Sequence, residues 1–173
     1  PAHPDNAAVP AGGIRACEAQ IYIGGLADTW VKPAGAKTVL VRGIGGGGGG
    51  SAGRNAATAT GGGGGGGGMY NEKWFQAAGL AASVAIVAGL GGAQCAAVDG
   101  TAGNNGTSST FGSTLMGAVF GKGGLAAATG DGGNGGAGGG IDNPAAGTAT
   151  TVYSRLAGRG GNGSTTPVGG SSA

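Results

Sequence analysis

Two uninterrupted runs of glycine constrain the fold of this chain more than any other feature. Six glycines, Gly45 to Gly50, follow the strand-like stretch KTVLVRGI, and eight more, Gly61 to Gly68, lead directly into MYNEKWFQ. Each glycine inside a regular element costs roughly 0.5–1 kcal/mol relative to alanine, so the runs need a structural reason. Because glycine has no Cβ, two such backbones can pack directly against each other, as at the collagen axis. We therefore expect extended, polyglycine II-like segments whose buried N–H and C=O groups are paired between backbones.

The alternative is that the glycine runs are disordered linkers. The chain has 48 glycines and 6 prolines in 173 residues, without a collagen period, and such a composition is typical of low-complexity sequence. However, only 9% of the residues are charged and the net charge is +2, whereas disordered segments usually stay solvated through charged and polar side chains. Aromatic residues make up only 5% of the chain, which predicts a thin hydrophobic core.

Short stretches rich in β-branched residues separate the glycine-rich segments and predict about six strands with almost no helix. These strands lie within IRACEAQIYIGGL, KTVLVRGI, MYNEKWFQ, LAASVAIVAGLGG, TLMGAVFGKGG and TATTVYSRLAG. In the first of them, alternation places Ile21 and Ile23 on one face and Tyr22 on the other, and a turn is predicted at 32–35. The pattern predicts an all-β fold, a small jelly-roll-like sandwich with extended glycine-rich connecting segments.

Composition divides the chain into three parts. Residues 1–28 form an N-terminal arm and first strand, residues 29–140 a glycine-rich β domain, and residues 141–173 a C-terminal strand with a Gly, Ser and Thr tail. The uncharged stretch 77–98 is mostly alanine and glycine, so it falls short of the roughly 20 predominantly apolar residues that a membrane span needs. Its VAIV centre favours a strand instead.

The residues form no recognisable catalytic or cofactor site. A hydrolase triad needs a histidine or another positioned base, and the only histidine is His3 in a proline-rich arm. The pair Gly121-Lys122 is followed by glycine, not by the Ser or Thr of a phosphate-binding loop. Cys17, Cys95 and one histidine do not give clustered metal ligands. We expect a protein that is not an enzyme and that has no cofactor or metal.

Three further points concern ligands and partners. The cysteines leave open whether Cys17 and Cys95 pair, although so few cysteines favour free, buried thiols. Oxygen ligands for calcium could come from a small group of residues, which are more often solvated turn residues. These are Asp131, Asn134, Asp142 and Asn143. The nine Lys and Arg residues are scattered without a basic stripe, which argues against nucleic acid as a partner.

Five aromatic residues are the candidate packing or contact residues: Trp30, Tyr70, Trp74, Phe75 and Phe111. Two interpretations apply to Trp30, Tyr70, Trp74 and Phe75. They form either a surface platform for glycan or protein contact or the core of a chain with few other large side chains. The small supply of aromatic residues favours the core.

An ordered series of motifs runs from Thr29 to Gly140. A "TW..P.G...V.V...GGGGGG" opening is followed by a second glycine run, an aromatic-bearing strand, a valine-rich strand with glycines, a loop ending in "S.FG" and a final "GG.GG" segment. The matching residues are Thr29, Trp30, Pro33, Gly35, Val39, Val41, Gly45 to Gly50, Gly61 to Gly68, Tyr70, Trp74, Val84 to Val87, Gly89, Gly91, Gly92, Ser109, Phe111, Gly112, Gly123, Gly124 and Gly132 to Gly140. This order resembles the glycine-rich domain of bacteriophage tail and tail-fibre proteins.

The resemblance implies a structural component of a virion, located at the tail and often near its host-facing end, with no catalytic residues. We expect an oligomer assembled in the host cytoplasm. Its expected partners are copies of itself, other virion proteins and a host surface receptor, with no nucleic acid and no membrane span. The alternative is a disordered or cell-wall-type glycine-rich interaction protein.

Overall fold

A computed structural model describes residues 17–25, 27–55, 59–96, 98–127, 133–139, 149–155 and 157–164. The described residues form two antiparallel sheets, ordered β1-β4-β5-β6 and β2-β3-β7. The strands are β1 (Ala27–Val31), β2 (Thr38–Ile44), β3 (Tyr70–Gln76), β4 (Ser83–Val87), β5 (Ser109–Phe111), β6 (Met116–Ala118) and β7 (Ala149–Arg155). Helical structure in this part of the chain is limited to a 3-10 turn at Ala77–Gly79 and one α-helical turn, α1 (Gly112–Leu115). The predicted all-β class is confirmed.

A small apolar core lies between the two sheets. Its buried members are Trp30, Leu80, Val84, Phe111 and Met116, together with Phe75 from the second sheet. The ring of Phe111 is central, since its centroid lies 5.5 Å from that of Trp30 and 5.6 Å from that of Phe75. Edge-to-face and tilted ring pairs of this kind add stabilisation beyond their buried area.

The predicted N-terminal strand is wrong for the residues that the structure describes. Residues 17–25 contain no strand, and Ile21 and Ile23 are 85% and 80% exposed. An alternating pattern does not ensure that a partner strand lies beside the segment. Of residues 17–25, only Tyr22 packs against the core. The strand that pairs with β4 is β1, which begins just after residues 17–25 and for which the sequence pattern gives no prediction. In this pair Trp30 lies opposite Val84.

The turn predicted at 32–35 is confirmed. The Ala36 amide donates to the Pro33 carbonyl at 3.2 Å. Gly35 lies in the left-handed region with φ +73°, a conformation that side-chain-bearing residues rarely adopt. This turn connects β1 to β2, the first strand of the hairpin that β2 forms with β3.

The hairpin of β2 and β3 continues directly into the two glycine runs. After the last strand pair, Ile44 opposite Tyr70, backbone amides keep donating across the pair in steps of three residues. Gly45 donates to Met69, Gly48 to Gly66 and Ser51 to Gly63, at 2.9, 2.7 and 2.9 Å. A β-ladder repeats every two residues, whereas a polyglycine II-like helix has three residues per turn. Strands β2 and β3 therefore continue directly into the glycine runs. The two segments stay hydrogen-bonded to each other, but in a helical geometry with three residues per turn.

Seven glycine-rich segments share this geometry and form one hydrogen-bonded bundle. We number them in chain order as I (45–53), II (60–69), III (89–93), IV (101–107), V (119–125), VI (133–139) and VII (157–164). Segment I bonds to II, III, IV and V, and segment II bonds to I, V, VI and VII. Segments I, II and VII thus form a first layer over a second layer of IV, V and VI, and segment III closes the edge beside I and IV.

The contacts repeat at three-residue intervals throughout the bundle. The amides of segment I that donate to segment IV are those of Gly46, Gly49 and Ala52. Those of segment II that donate to segment VII are Gly61, Gly64 and Gly67, and those of segment VI that donate to segment II are Gly133, Gly136 and Gly139. Each segment therefore uses successive residues to bond to different neighbours.

Interior positions of the bundle need glycine for steric reasons. A Cβ on Gly124 would overlap the carbonyl of Gly63, and a Cβ on Gly66 would overlap that of Ala137. The obstructing atoms belong to the backbone and cannot rotate away. The glycine runs are packed elements of the fold, as the close-approach argument predicted, and not linkers.

Candidate functional site

The outer face of the β2-β3 hairpin carries apolar, aromatic and charged side chains close together. Cross-strand pairing places Trp74 beside Leu40 and Tyr70 beside Ile44. Trp74 is 43% exposed and Ile44 is 65% exposed. Side chains on one face of paired strands interact directly, so these residues form one apolar patch with polar groups at its centre.

The polar centre of this face is a carboxylate fixed by two donors. The Tyr70 hydroxyl donates to Glu72 Oε2 at 2.6 Å, and Arg42 Nε donates to the same oxygen at 2.8 Å. The hydrogen bond from Tyr70, followed by that from Arg42, holds the pKa of Glu72 below its ordinary value of 4.5. The hydrogen bond to Glu72 in turn raises the pKa of Arg42. The arrangement presents a fixed ion pair beside an indole ring.

This surface, which we call the aromatic face, consists of Leu40, Arg42, Ile44, Tyr70, Glu72 and Trp74. An exposed indole can stack on a flat apolar partner, while the Arg42 side chain, 64% exposed, offers further N–H donors. The arrangement is suited to binding a partner that is both planar and polar.

The structure separates the five aromatic candidates into two groups. Trp30, Phe75 and Phe111 meet in the core, where they are at most 6% exposed. Tyr70 and Trp74 lie on the aromatic face instead, because they alternate with Phe75 along β3. The five residues therefore do not form one site.

Arg42 and Glu72 are the residues of this face that sequence reasoning missed. Alternation along β2 puts Arg42 on the same face as Leu40, and alternation along β3 puts Glu72 on the same face as Trp74. Their pairing depends on the hairpin register, in which the two residues are directly opposite. The available signal was the opposite charge on two adjacent predicted strands.

Buried polar residues on the inner side of β3 serve packing. Lys73 is 2% exposed, and its ammonium group donates to the Leu115 carbonyl at 3.4 Å. Asn71, 1% exposed, donates from Nδ2 to the Gly117 carbonyl at 2.8 Å. These bonds tie β3 to α1 and β6 across the sandwich, where buried polar groups need partners.

The remaining sequence candidates do not converge on a site. Cys17 and Cys95 are both free, and Cys17 is exposed, so the expectation of buried thiols is wrong for it. Of the four possible oxygen ligands, Asn134 is exposed on segment VI and the other three lie outside the described residues. Within the described ranges, no three His, Cys, Asp or Glu residues are grouped to hold a metal ion. The same ranges contain no helix of sufficient length and apolarity to span a membrane.

Comparison with known protein families gives a match that covers most of the chain. No curated protein matches the chain. The family described as "Glycine-rich domain" matches residues 23–173. The matched region includes both glycine runs, all seven strands and all seven segments of the bundle, so the chain belongs to this glycine-rich domain family.

Proposed function

We propose that this chain is a non-enzymatic structural component of a bacteriophage virion, a tail or tail-fibre protein that acts in tail architecture or host attachment. The observation that carries the proposal is the ordered motif series from Thr29 to Gly140, which resembles the domain in phage tail proteins. Membership of the glycine-rich domain family is compatible with it. The site of action is the virion, after assembly in the host cytoplasm.

The bundle supports a mechanical role. Segments I and II are each bonded to four neighbouring segments, so the backbone itself links the two layers. Interior glycines leave no space between backbones, and close-packed elements transmit strain without collapsing. A rigid part of this kind suits a tail that must keep its shape while it contacts a cell.

The aromatic face supports a role in attachment. It combines the half-exposed Trp74 ring with the fixed Arg42–Glu72 ion pair, and such surfaces supply binding energy through stacking and charge-assisted hydrogen bonds. Its partner in this proposal is a host surface receptor. Copies of the chain and other virion proteins are the partners in assembly.

The test begins with purified infectious particles of a phage that encodes this chain. Mass spectrometry of the particles and immunogold labelling should find the protein at the tail. Its absence from purified particles would overturn the proposal and favour a cell-wall-type glycine-rich protein.

A variant phage then separates attachment from architecture. Trp74→Ala on the aromatic face is compared with Val87→Ala, an apolar position on the other sheet with nearly the same exposure, 41% against 43%. Reduced adsorption of the Trp74→Ala phage, with intact tails in micrographs, supports attachment through this face. Normal adsorption of both phages restricts the role to architecture.

A further inference from the structure

The two layers of the bundle have different outer surfaces. In the second layer, exposed side chains recur every third residue: Lys122 and Leu125 in segment V, and Asn134 and Ala137 in segment VI. In the first layer, residues 45–50 and 61–68 of segments I and II are glycine without exception. We call the outer surface of segments I and II the bare face.

The described part of the bundle does not require glycine at every position of the bare face. A Cβ on Gly47 would lie 3.5 Å from the nearest atom, the Gly66 carbonyl oxygen, and one on Gly50 would lie 3.6 Å from that of Gly63. These are ordinary contacts, and neither residue has a positive φ. Glycine at a position that alanine can occupy lowers stability. Packing among the described residues therefore leaves these two glycines unexplained.

Backbone donors of the bare face also have no hydrogen-bond partner in the part of the chain that the structure describes. Successive residues of a three-residue helix point about 120° apart, so each segment has three sets of amides. In segment I one set bonds to segment II and one to segment IV. The third set, Gly47 and Gly50, has no partner among the described residues. In segment II the corresponding set is Gly62, Gly65 and Gly68.

A row of carbonyl acceptors lies beside the donor row of segment II. Added Cβ atoms on its three glycines would overlap the carbonyls of segment I, which shows how close the two rows are. The pairs are Gly62 with Ser51, Gly65 with Gly48, and Gly68 with Gly45. None of these three carbonyls accepts a backbone hydrogen bond within the described part of the chain. The bare face thus presents donors and acceptors at the spacing of the bundle.

We propose that the bare face binds the bare face of a second copy of this chain, with the two glycine layers packed backbone to backbone. A second copy fits because each face carries both a donor row and an acceptor row, as an isologous two-fold interface requires. It also offers a surface without side chains, which is what close backbone approach needs. The proposal does not depend on the virion role.

The size of the face predicts how strongly the copies associate. Eight residues at about 3.1 Å rise give a length of about 25 Å, and the two segments of the bare face, about 4.8 Å apart, give a width of about 10 Å. The two copies together would cover roughly 500 Å², which is in the range of weak complexes. We therefore expect a dimer that dissociates on dilution.

Sedimentation velocity over a concentration series up to millimolar tests the proposal. Wild-type protein should shift from monomer to dimer. The variant Gly50→Lys should raise the dissociation constant at least about tenfold, because its side chain blocks close approach. The matched control Ala137→Lys places the same charge on the second layer and should dimerise like the wild type. Monomeric wild-type protein at the highest concentration, or equal dimerisation of Gly50→Lys, overturns the proposal.

Amide exchange provides an independent measurement and a check on folding. In the dimer, exchange at Gly62, Gly65 and Gly68 should slow by at least about tenfold relative to the monomer. Exchange at Gly48 and Gly66, which are bonded within the bundle, should be equal in both forms and in Gly50→Lys. If Gly50→Lys does not fold, Gly47→Ala replaces it. Unchanged exchange at the three bare-face glycines would contradict the interface.

Discussion

Individual glycines in this protein differ in what they do. Gly124 lies between the layers, where its Cα faces the Gly63 carbonyl and a side chain has no space. Gly91 lies in segment III at the edge, is exposed, and a Cβ there would be 3.8 Å from the nearest atom. Both positions are simply glycine in the sequence. The sequence therefore predicts that glycine-rich segments pack closely, but not which positions require glycine.

Replacing these two glycines with alanine should therefore have opposite effects. Gly124→Ala forces two backbones apart and should lower the free energy of unfolding by about 2 kcal/mol or more. Gly91→Ala should leave it unchanged or raise it by about 0.4–1 kcal/mol, because alanine restricts the unfolded chain. Urea unfolding of both variants measures the difference. Equal stability of the two variants would contradict the packing described for the bundle.

Asparagine side chains complete the bundle where a neighbouring backbone is missing. Asn105 Oδ1 accepts from the buried Gly123 amide at 2.9 Å, and Asn162 Oδ1 accepts from the Gly135 amide at 2.9 Å. The sequence around Asn105 is dense in turn-forming residues, so its composition predicts turns. The role of these asparagine side chains as hydrogen-bond acceptors depends on the arrangement of the bundle, which the sequence alone does not show.

Removing one such acceptor should be costly. Asn105→Ala leaves the buried Gly123 amide without its acceptor and should lower the free energy of unfolding by about 1–3 kcal/mol. Asn134→Ala is the matched control, since this exposed side chain makes no hydrogen bond among the described residues. Thermal or urea unfolding compares them. If the control loses as much stability as Asn105→Ala, the side-chain acceptor is not the cause.

At the scale of elements, β3 shows what alternation can and cannot predict. Apolar residues occur on both of its faces, so the pattern in MYNEKWFQ predicted a strand but not which face is inside. The buried face carries Asn71 and Lys73 as well as Phe75, whereas the larger Trp74 lies outside. Partners in β2, β6 and α1 decide this, and they are distant in sequence.

The ion pair on the outer face of the hairpin predicts a pH dependence. The pKa of Glu72 is lower in the folded protein, so its contribution to stability is present above the unfolded value near 4.5 and is lost as pH falls through the folded pKa. Wild-type protein should therefore be more stable than Glu72→Gln at pH 7, and the difference should decrease steadily as the pH is lowered below 4.5. Urea unfolding over a pH series from 7 downward measures it. A difference that persists at low pH would assign the effect to something other than the charged carboxylate.

At the scale of the whole molecule, a small sandwich and a polyglycine bundle stabilise each other. The core contains only six buried apolar residues in its cluster, which is little for a domain of this length. Strands β2, β3 and β7 lead into or out of segments I, II and VII, so the first layer extends one sheet. Composition predicted the thin core and the compensating backbone hydrogen bonds, but the layer order depends on long-range contacts that no local pattern contains.

Native-state amide hydrogen exchange, read residue by residue in the glycine runs, tests the central claim most directly. Amides that donate within the bundle, such as those of Gly46, Gly48 and Gly49, should exchange at least about a hundredfold more slowly than in an unstructured chain. In the monomeric protein Gly47 and Gly50 should exchange fast, which gives the run a three-residue pattern. Uniformly fast exchange from Gly45 to Gly50 and from Gly61 to Gly68 would contradict the bundle and make the glycine runs linkers.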